Sequence, residues 1–260
     1  MTEQRMPGGR LLGAVRVGDT VRRPAQPWTP AVHEVLRHLA SVGFDGAPRV
    51  LGVDEQGREM LTHLDGETVG DRVPWPSWVR SAGTLRQVGG WLRRLHDATT
   101  SFTPSPDARW FAGKGWRPGL VIGHHDAGPH NAVWRNGRLV GFVDWDTAGP
   151  SSWEWDLAFA ALCWVPLRGP ETTAALGFTA DDDPRERLHL LLDAYGHDGD
   201  RAAFGETVAA RARMNAEVIR PLASGGDPAY AALLPVAVEY EAAARGVEAL
   251  PADFWRRPPR

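Results

Sequence analysis

Hydrophobic positions in the first quarter of the chain alternate with polar ones at the period of a β-strand. Residues 8–24 predict two short strands with a turn at Gly18 and Asp19, and residues 49–64 predict a hairpin around residues 54–57. Between them the spacing becomes helical and predicts a helix with Thr29 as its N-cap. The apolar face of that helix comprises Val32, Val35, Leu36 and Leu39. These patterns predict a small β-rich unit with one helix.

After residue 64 the helical period dominates, with one interruption. Residues 120–144 alternate short apolar strands with turns, and the step Asn136-Gly137 is the strongest hairpin signal in the chain. Helices are predicted at about residues 81–98, 154–164, 184–195, 201–222 and 228–248. The sequence therefore predicts an α+β fold with a small β-rich N-terminal lobe, residues 1–64, and a larger, mainly helical C-terminal lobe, residues 65–260.

Composition narrows the classes of protein that fit this pattern. The chain is 43% hydrophobic and 23% charged, so it can bury a core. Its formal net charge of −3 gives no general attraction to nucleic acid or to anionic lipid. The sequence has no run of about 18 apolar residues, and its only cysteine, Cys163, fits a reducing compartment. We expect a cytoplasmic protein without nucleic acid or membrane as partner, and the oligomeric state is left open.

The candidate chemistry lies in residues 121–150. Asp126 is predicted in a loop after a short strand, and Asn131 follows at the entry to the hairpin. Asp144 comes at the end of the hairpin's second strand. A loop carboxylate, an amide and a strand-end carboxylate can converge on one pocket. Two such oxygen ligands, completed by phosphate oxygens and water, suit Mg²⁺, which rarely takes a full cage of protein ligands.

The motifs in this stretch resemble those of small-molecule kinases. The letters HHDAGPHN, residues 124–131, are similar to the kinase catalytic loop H-x-D-x-x-x-x-N, and DWD, residues 144–146, stands where kinases carry D-F-G. The Gly-Pro step at residues 149–150, the letters DLA at 156–158 and the helix ending LRRLH at 92–96 are similar to the aminoglycoside phosphotransferase and choline kinase-like family. The resemblance implies a bilobal protein kinase-like fold.

That family resemblance also implies an activity and the residues that carry it. The chain would transfer the γ-phosphoryl group of ATP, or GTP, to a hydroxyl of a small molecule. Asp126 would accept or orient the substrate hydroxyl, while Asn131 and Asp144 would hold Mg²⁺ on the phosphates.

Three further residues take supporting roles by the same resemblance. His124 would be structural and pack under the metal-binding turn, and Asp156 would anchor the backbone of the catalytic loop. Asp146 could touch the metal, but a structural hydrogen bond to the turn is favoured.

The predicted nucleotide site departs from the family pattern. Kinases carry a phosphate-binding lysine on the third strand, where this chain has Arg22 and Arg23. Strand alternation puts the two arginines on opposite faces, so either could serve; alignment with the family's lysine favours Arg22. Glu34 is the only carboxylate in the first helix and is the candidate ion-pair partner of Arg22, with His33 as the alternative at that turn.

The remaining nucleotide contacts leave weaker signals. The resemblance places the adenine against the backbone of Thr62, His63 and Leu64, which connect the two lobes. Backbone contacts leave no signature, so ATP and GTP are not distinguished. The glycines expected to cover the phosphates, Gly8, Gly9 and Gly13, do not complete the motif G-x-G-x-x-G.

The acceptor stays open among aminoglycosides, related sugars, amino alcohols and other natural products. The acidic run at residues 181–183 could receive a cationic aminosugar, but an N-cap cluster before Pro184 is the favoured interpretation. Nearby arginines would instead suit a neutral or anionic acceptor; they are Arg185, Arg187, Arg211 and Arg213.

Two other classes of function are considered. A non-catalytic kinase-like module that binds nucleotide would fit the missing lysine, but not the retention of Asp126, Asn131 and Asp144 together. A metal-dependent phosphohydrolase is suggested by the His-Asp pairs at 96–97 and 125–126. It is disfavoured because such enzymes draw ligands from several helices.

Overall fold

The computed structural model describes residues 3–6, 13–70, 72–225 and 231–257. Their contacts divide the chain into two compact units. The first is drawn from Met1–Asp71 and Trp91–Trp153, and the second from Arg72–Gly90 and Glu154–Arg260. Each unit therefore combines segments that are distant in sequence. The lobe boundary after residue 64 stays a prediction.

An antiparallel sheet of five strands forms one part of the first unit. Its strands are β1 (Gln4–Arg5), β2 (Val15–Val17), β3 (Thr20–Pro24), β4 (Val50–Val53) and β5 (Arg58–Thr62). They are arranged in the order β1-β2-β3-β5-β4, which makes β3 and β5 direct neighbours. Both predicted hairpins are present, and the register of β3 and β5 sets Arg23 opposite Glu59.

Helix α1 (Thr29–Ser41) lies in the same unit, and its predicted apolar face is fully buried. Its start differs from the prediction: Trp28 occupies the N-cap position without a side-chain cap. The Thr29 hydroxyl instead accepts a hydrogen bond of 2.8 Å from the backbone N–H of Gln26. Thr29 thus fixes the turn that leads from β3 into the helix.

Four short strands complete the first unit and carry the candidate chemistry. Strand β6 (Val121–Gly123) pairs with β9 (Gly149–Ser151), and β7 (Ala132–Arg135) pairs with β8 (Arg138–Phe142). The predicted Asn136-Gly137 turn joins β7 to β8, and both of its residues have positive φ, 52° and 75°. These dihedrals are those of a type I′ turn, whose twist matches a two-residue hairpin.

The second unit is helical. The α-helices that follow α1 in the described residues are α2 (Ser77–Arg80), α3 (Ala82–Thr99), α4 (Trp153–Trp164), α5 (Pro170–Ala175), α6 (Pro184–Tyr195), α7 (Arg201–Ser224) and α8 (Leu234–Glu248). The first turns of α3 belong to this unit and its remainder to the first. The short helix α5 was not predicted, and part of the last predicted helix lies outside the described residues. No helix in the described part of the chain is long and apolar enough to cross a membrane.

Candidate active site

The carboxylate of Asp126 is held from two sides in the loop after β6. The Nδ2 of Asn131 donates to its Oδ2 at 2.7 Å and to the Asp126 backbone carbonyl at 3.0 Å. Nε2 of His130 lies 3.1 Å from Oδ1. A carboxylate oxygen can accept about two hydrogen bonds, and each oxygen of Asp126 has one such contact here, so Asp126 retains capacity for a further donor. The side chain is only partly exposed, at 29%.

Asn131 is oriented unambiguously by these contacts. Because one end of its amide meets two acceptors of Asp126, that end must be the NH₂ group. The Oδ1 atom therefore points away from the carboxylate. The backbone carbonyl of Asn131 accepts from the N–H of Val143 at 2.9 Å, which brings the residue beside Asp144. The three predicted residues thus form one connected group within the first unit.

His124 supports this group from below. Its Nδ1 accepts from the backbone N–H of Asp126 at 3.3 Å, which requires the proton to be on Nε2. Nε2 in turn donates to the Val143 carbonyl at 3.1 Å. The ring is fully buried and packs edge-on against Trp91, Phe142 and Trp145. This neutral imidazole ties the loop of Asp126 to the end of β8, which is the structural position that the family resemblance implied.

Asp144 and His125 share a backbone strain. Both have positive φ, 61° and 63°, a conformation that non-glycine residues adopt at a cost. His125 is held there by the Thr147 carbonyl at 3.1 Å from Nδ1 and the Ser151 hydroxyl at 2.8 Å from Nε2. The turn at Asp144 carries its side chain to a half-exposed position, with 50% of its surface accessible.

Arg23 is the arginine that reaches the acidic pair formed by Asp144 and Asp146, contrary to the preference for Arg22. Nη1 of Arg23 donates to Asp144 Oδ1 and to Asp146 Oδ2, both at 2.8 Å, and Nη2 donates to Asp146 Oδ1 at 3.2 Å. Arg22 instead pairs with Asp54 at 3.4 Å. The reason is strand alternation, since neighbouring residues of β3 point to opposite faces of the sheet.

The acidic partner of this arginine is Glu59, which the sequence reasoning missed. Glu59 Oε1 accepts from Arg23 Nε at 2.5 Å, and Oε2 lies 2.8 Å from Nε2 of His33 on α1. Glu59 is 1% exposed. The sequence signal for Glu59 was a glutamate at an inward-facing position of the alternating strand REMLT, residues 58–62. The buried charge comes from the neighbouring strand, and α1 contributes an imidazole.

The predicted ion pair between Glu34 and Arg22 does not form. Glu34 Oε1 accepts from the hydroxyl of Ser105 at 2.7 Å, and Oε2 accepts from its backbone N–H at 2.9 Å. This places Glu34 on the outer side of α1, one residue beyond the inward-facing His33. His33, the alternative at this turn, occupies the inner position.

Electrostatics bind this cluster together. Burial disfavours the charge on Arg23, but attraction to Asp146, Asp144 and Glu59 outweighs it and raises the pKa of the guanidinium. Burial likewise works against ionised Glu59, yet the hydrogen bond from His33 and the charge of Arg23 hold its pKa below the ordinary value. The pKa of Asp144 is also lowered, because Arg23 outweighs desolvation.

Asp146 differs from its neighbour. Burial raises its pKa to about 6, against the attraction of Arg23, and repulsion from Asp144 adds to the rise. Its Oδ1 also accepts from the indole Nε1 of Trp28 at 2.9 Å. Both Asp146 oxygens therefore accept from protein donors, and these donors are Arg23 and Trp28 rather than the turn that the sequence analysis favoured.

The donor set fits a hard divalent cation with few protein ligands. Asn131 Oδ1, which is turned away from Asp126, and the half-exposed carboxylate of Asp144 are the oxygen atoms that could serve as ligands. Among the described residues, no three His, Cys, Asp or Glu side chains cluster as a metal site would require. A cation here would complete its shell with phosphate oxygens and water, as Mg²⁺ does beside nucleotides.

The predicted base-binding segment follows β5. The N–H of Thr62 donates to the Arg49 carbonyl and that of His63 to the Asp19 carbonyl, each at 2.9 Å. The contact of this segment with a base stays a prediction.

The structure describes only part of what was expected for the glycines over the phosphates and for Asp156. Gly8 and Gly9 lie outside the described residues, whereas Gly13 has a positive φ of 62°. Asp156 is fully buried in the first turn of α4, in the second unit. Its proposed role toward the catalytic loop stays a prediction.

Comparison with known proteins places this geometry in a family. Residues 108–191 match the model of the phosphotransferase enzyme family, APH. The trifolitoxin immunity protein of Rhizobium leguminosarum bv. trifolii is 39% identical over 196 residues, which cover 73% of this chain and 72% of that protein.

Two solved structures share the fold at low identity. A choline/ethanolamine kinase family protein from Mesorhizobium loti superposes with a TM-score of 0.63 at 18% identity, covering 96% of this chain and 89% of that one. Aminoglycoside 2′-phosphotransferase-IIIa, solved with GDP, gives a TM-score of 0.59 at 12% identity, with 95% and 93% covered.

The mixed α+β fold is that of protein kinase-like phosphotransferases, and the site joins the Asp126 carboxylate to the Asn131 amide, beside the carboxylate of Asp144. The chain belongs to the phosphotransferase enzyme family. The predicted family, the fold and the general class of enzyme, a phosphotransferase, are confirmed.

Proposed function

We propose that this chain transfers the γ-phosphoryl group of ATP to a hydroxyl of a small natural product, with Asp126 as the catalytic residue. The observation that carries the proposal is the clamped carboxylate of Asp126, which Asn131 holds at 2.7 Å while the Asn131 backbone carbonyl accepts from Val143, the residue before Asp144. Phosphoryl transfer needs mainly positioning and charge neutralisation, so this small group of side chains is sufficient.

Asp126 prepares the acceptor. Asn131 and His130 fix the plane of its carboxylate, and its remaining lone pairs receive the hydroxyl proton as the hydroxyl oxygen approaches the phosphorus. Asn131 and Asp144 are the residues that would hold Mg²⁺. The ion, when bound, neutralises charge on the phosphate oxygens.

Arg23 takes the place of the kinase lysine in this proposal. Its Nη1 lies at the half-exposed side of the acidic pair, where the phosphates of a nucleotide bound by Asn131 and Asp144 would lie. A guanidinium binds phosphate oxygens with a planar fork, which is a stronger and more directional contact than an ammonium makes. The purine of ATP would lie against the backbone of Thr62, His63 and Leu64.

The acceptor is proposed to carry little positive charge. The acidic residues that could receive a cationic aminosugar already have structural partners. Asp182 pairs with Arg80 at 3.3 Å, and Asp183 caps α6 by accepting from Glu186 N–H at 3.0 Å. Carboxylates neutralised in this way offer little attraction to a polycation.

The similarity to an immunity protein extends the range of acceptors to toxins. Immunity by phosphorylation would require only a hydroxyl on the toxin and a pocket that admits it. Trifolitoxin itself and hydroxylated toxins therefore belong in any acceptor screen.

The test is nucleotide turnover by the purified protein with Mg²⁺, using a panel of toxins, sugars, amino alcohols, nucleosides and aminoglycosides. Acceptor-dependent ADP formation and a phosphorylated acceptor in the mass spectrum are expected. Asp126→Asn should lower turnover by about a hundredfold or more, as loss of a catalytic-site electrostatic group does. Asp97→Asn is the matched control, because Asp97 is an exposed carboxylate paired with Arg93 at 2.9 Å.

The two rival functions give different results in the same assay. A non-catalytic module would bind ATP and Mg²⁺ yet turn over no acceptor, and Asp126→Asn would change nothing. A phosphohydrolase would release phosphate from phosphoesters without ATP. Turnover that survives Asp126→Asn at the wild-type rate refutes the proposed role of Asp126.

A further inference from the structure

One guanidinium, that of Arg23, is shared by three carboxylates. Its Nε contacts Glu59 at 2.5 Å, and its Nη1 bridges Asp144 and Asp146 at 2.8 Å each. Three negative charges against one positive charge leave the cluster with an excess of two negative charges, before any charge on His33. Arg23 therefore neutralises only part of the negative charge of these three carboxylates.

The two ends of Arg23 differ in their surroundings. The Nε end is fixed in the interior by Glu59, whose side chain is 2% exposed, whereas the Nη1 end meets the Asp144 side chain, which is 50% exposed. The contact with Asp144 is therefore the one that solvent, metal and nucleotide can reach. It is also the weaker one, since water screens a half-exposed ion pair.

We infer that Arg23 is a counter-ion that Asp144 exchanges for the divalent metal. With no metal bound, Nη1 neutralises the Asp144 carboxylate. A cation that takes this carboxylate displaces Nη1, and the released N–H group then donates to the nucleotide phosphates, while Glu59 keeps the guanidinium in place. The inference rests on the proposed function, because it assigns Asp144 to the metal and Arg23 to the phosphates.

This exchange predicts opposite effects of one substitution on two ligands. Arg23→Gln removes the competitor for Asp144, so the protein should bind metal alone more tightly. The same change removes the phosphate donor, so binding of ATP without metal should weaken. A purely structural role for Arg23 would weaken both, because the carboxylates would separate by repulsion.

The experiment measures Mn²⁺ alone and ATP in the presence of EDTA by titration calorimetry, for wild type, Arg23→Gln and Arg22→Gln. For Arg23→Gln, we expect the Kd for Mn²⁺ to fall and the Kd for ATP to rise, each by about tenfold or more, as loss of a unit charge at contact distance implies. Arg22→Gln is the matched control on the same strand and should leave both constants unchanged, because Arg22 pairs with Asp54.

Several outcomes overturn the inference. Mn²⁺ binding that is weakened or unchanged in Arg23→Gln would do so.

If that variant does not fold, as judged by circular dichroism, Arg23→Lys takes its place. An ammonium lacks the fork that reaches Glu59 and both aspartates together, so tighter Mn²⁺ binding is still expected. Unchanged Mn²⁺ binding in Arg23→Lys refutes the exchange. A wild-type protein that binds Mn²⁺ and ATP but fails these tests leaves the proposed function standing. A wild type that binds neither Mn²⁺, nor ATP, nor the two together refutes the proposed function itself.

Discussion

The buried Glu59 offers the sharpest test of how the site is held together. Glu59→Ala would leave Arg23 Nε and His33 without their shared acceptor, in a place where the glutamate is 1% exposed. Removing one member of a buried ion pair costs about 3–5 kcal/mol, because the remaining charge stays buried. Glu59→Gln keeps the shape and one acceptor oxygen, so it should cost about 1.5–3 kcal/mol, the range of a hydrogen bond to a charged group.

The pH dependence of this loss has a definite sign. The pKa of Glu59 is lowered in the folded protein, because His33 and Arg23 outweigh the effect of burial. The folded state therefore binds the proton less readily than the unfolded chain does. The stabilisation is present above the unfolded pKa of about 4.3 and is lost as the pH falls through the lower folded value. The difference between wild type and Glu59→Gln should shrink in acid.

The assay is thermal unfolding followed by circular dichroism between pH 3.5 and pH 7. Glu34→Ala is the control, because Glu34 lies on the solvent side of α1 and contacts only Ser105 among the hydrogen bonds described. It should lower the free energy of unfolding by less than about 1 kcal/mol. If Glu59→Ala is no more destabilising than Glu34→Ala at pH 7, the buried network does not carry the stability assigned to it.

Two further predictions concern packing and charge elsewhere. Gly141→Ala should lower the free energy of unfolding by about 1–3 kcal/mol, because a Cβ at this position would lie 2.3 Å from the Gly46 carbonyl oxygen. Gly246→Ala, where a Cβ would meet no atom within 4 Å, should stabilise helix α8 by about 0.5–1 kcal/mol. Urea unfolding of both variants measures these effects, and equal effects would contradict the packing argument. Asp193→Asn should lower the Tm at pH 7, and this difference should shrink as the pH falls through the lowered folded pKa of Asp193, because hydrogen bonds from Arg201 and Arg257 outweigh burial and lower that pKa. A pH-independent difference in Tm would argue against this pairing.

Local patterns were sufficient for most of the elements and for bringing the central residues of the site together. The type I′ turn at Asn136 and Gly137 follows from residue types that tolerate positive φ. The helical spacing of Val32, Val35 and Leu36 correctly identifies the buried face of α1. Asp126, Asn131 and Asp144 are likewise encoded within 19 consecutive residues, and the hydrogen bonds between their segments are local in the chain.

Local sequence patterns could not predict that Arg23, rather than Arg22, reaches the site, or that Glu59 is its partner. Both depend on the register of β3 against β5, which sets Arg23 opposite Glu59 and leaves Arg22 with Asp54. Strand register is fixed by the pairing of residues distant in sequence, and a shift by one position exchanges the two faces. Thr29 shows the same limit at a helix start, because its hydroxyl serves the preceding turn.

The arginine at position 23 also decides which covalent chemistry can report on this enzyme. Electrophiles delivered by a nucleotide analogue commonly acylate an amine beside the phosphates. A guanidinium whose pKa is raised above its ordinary value stays protonated and is a poor nucleophile. The chain has a single lysine, Lys114. An amine-directed nucleotide probe bound at the proposed phosphate position would therefore not mark Arg23.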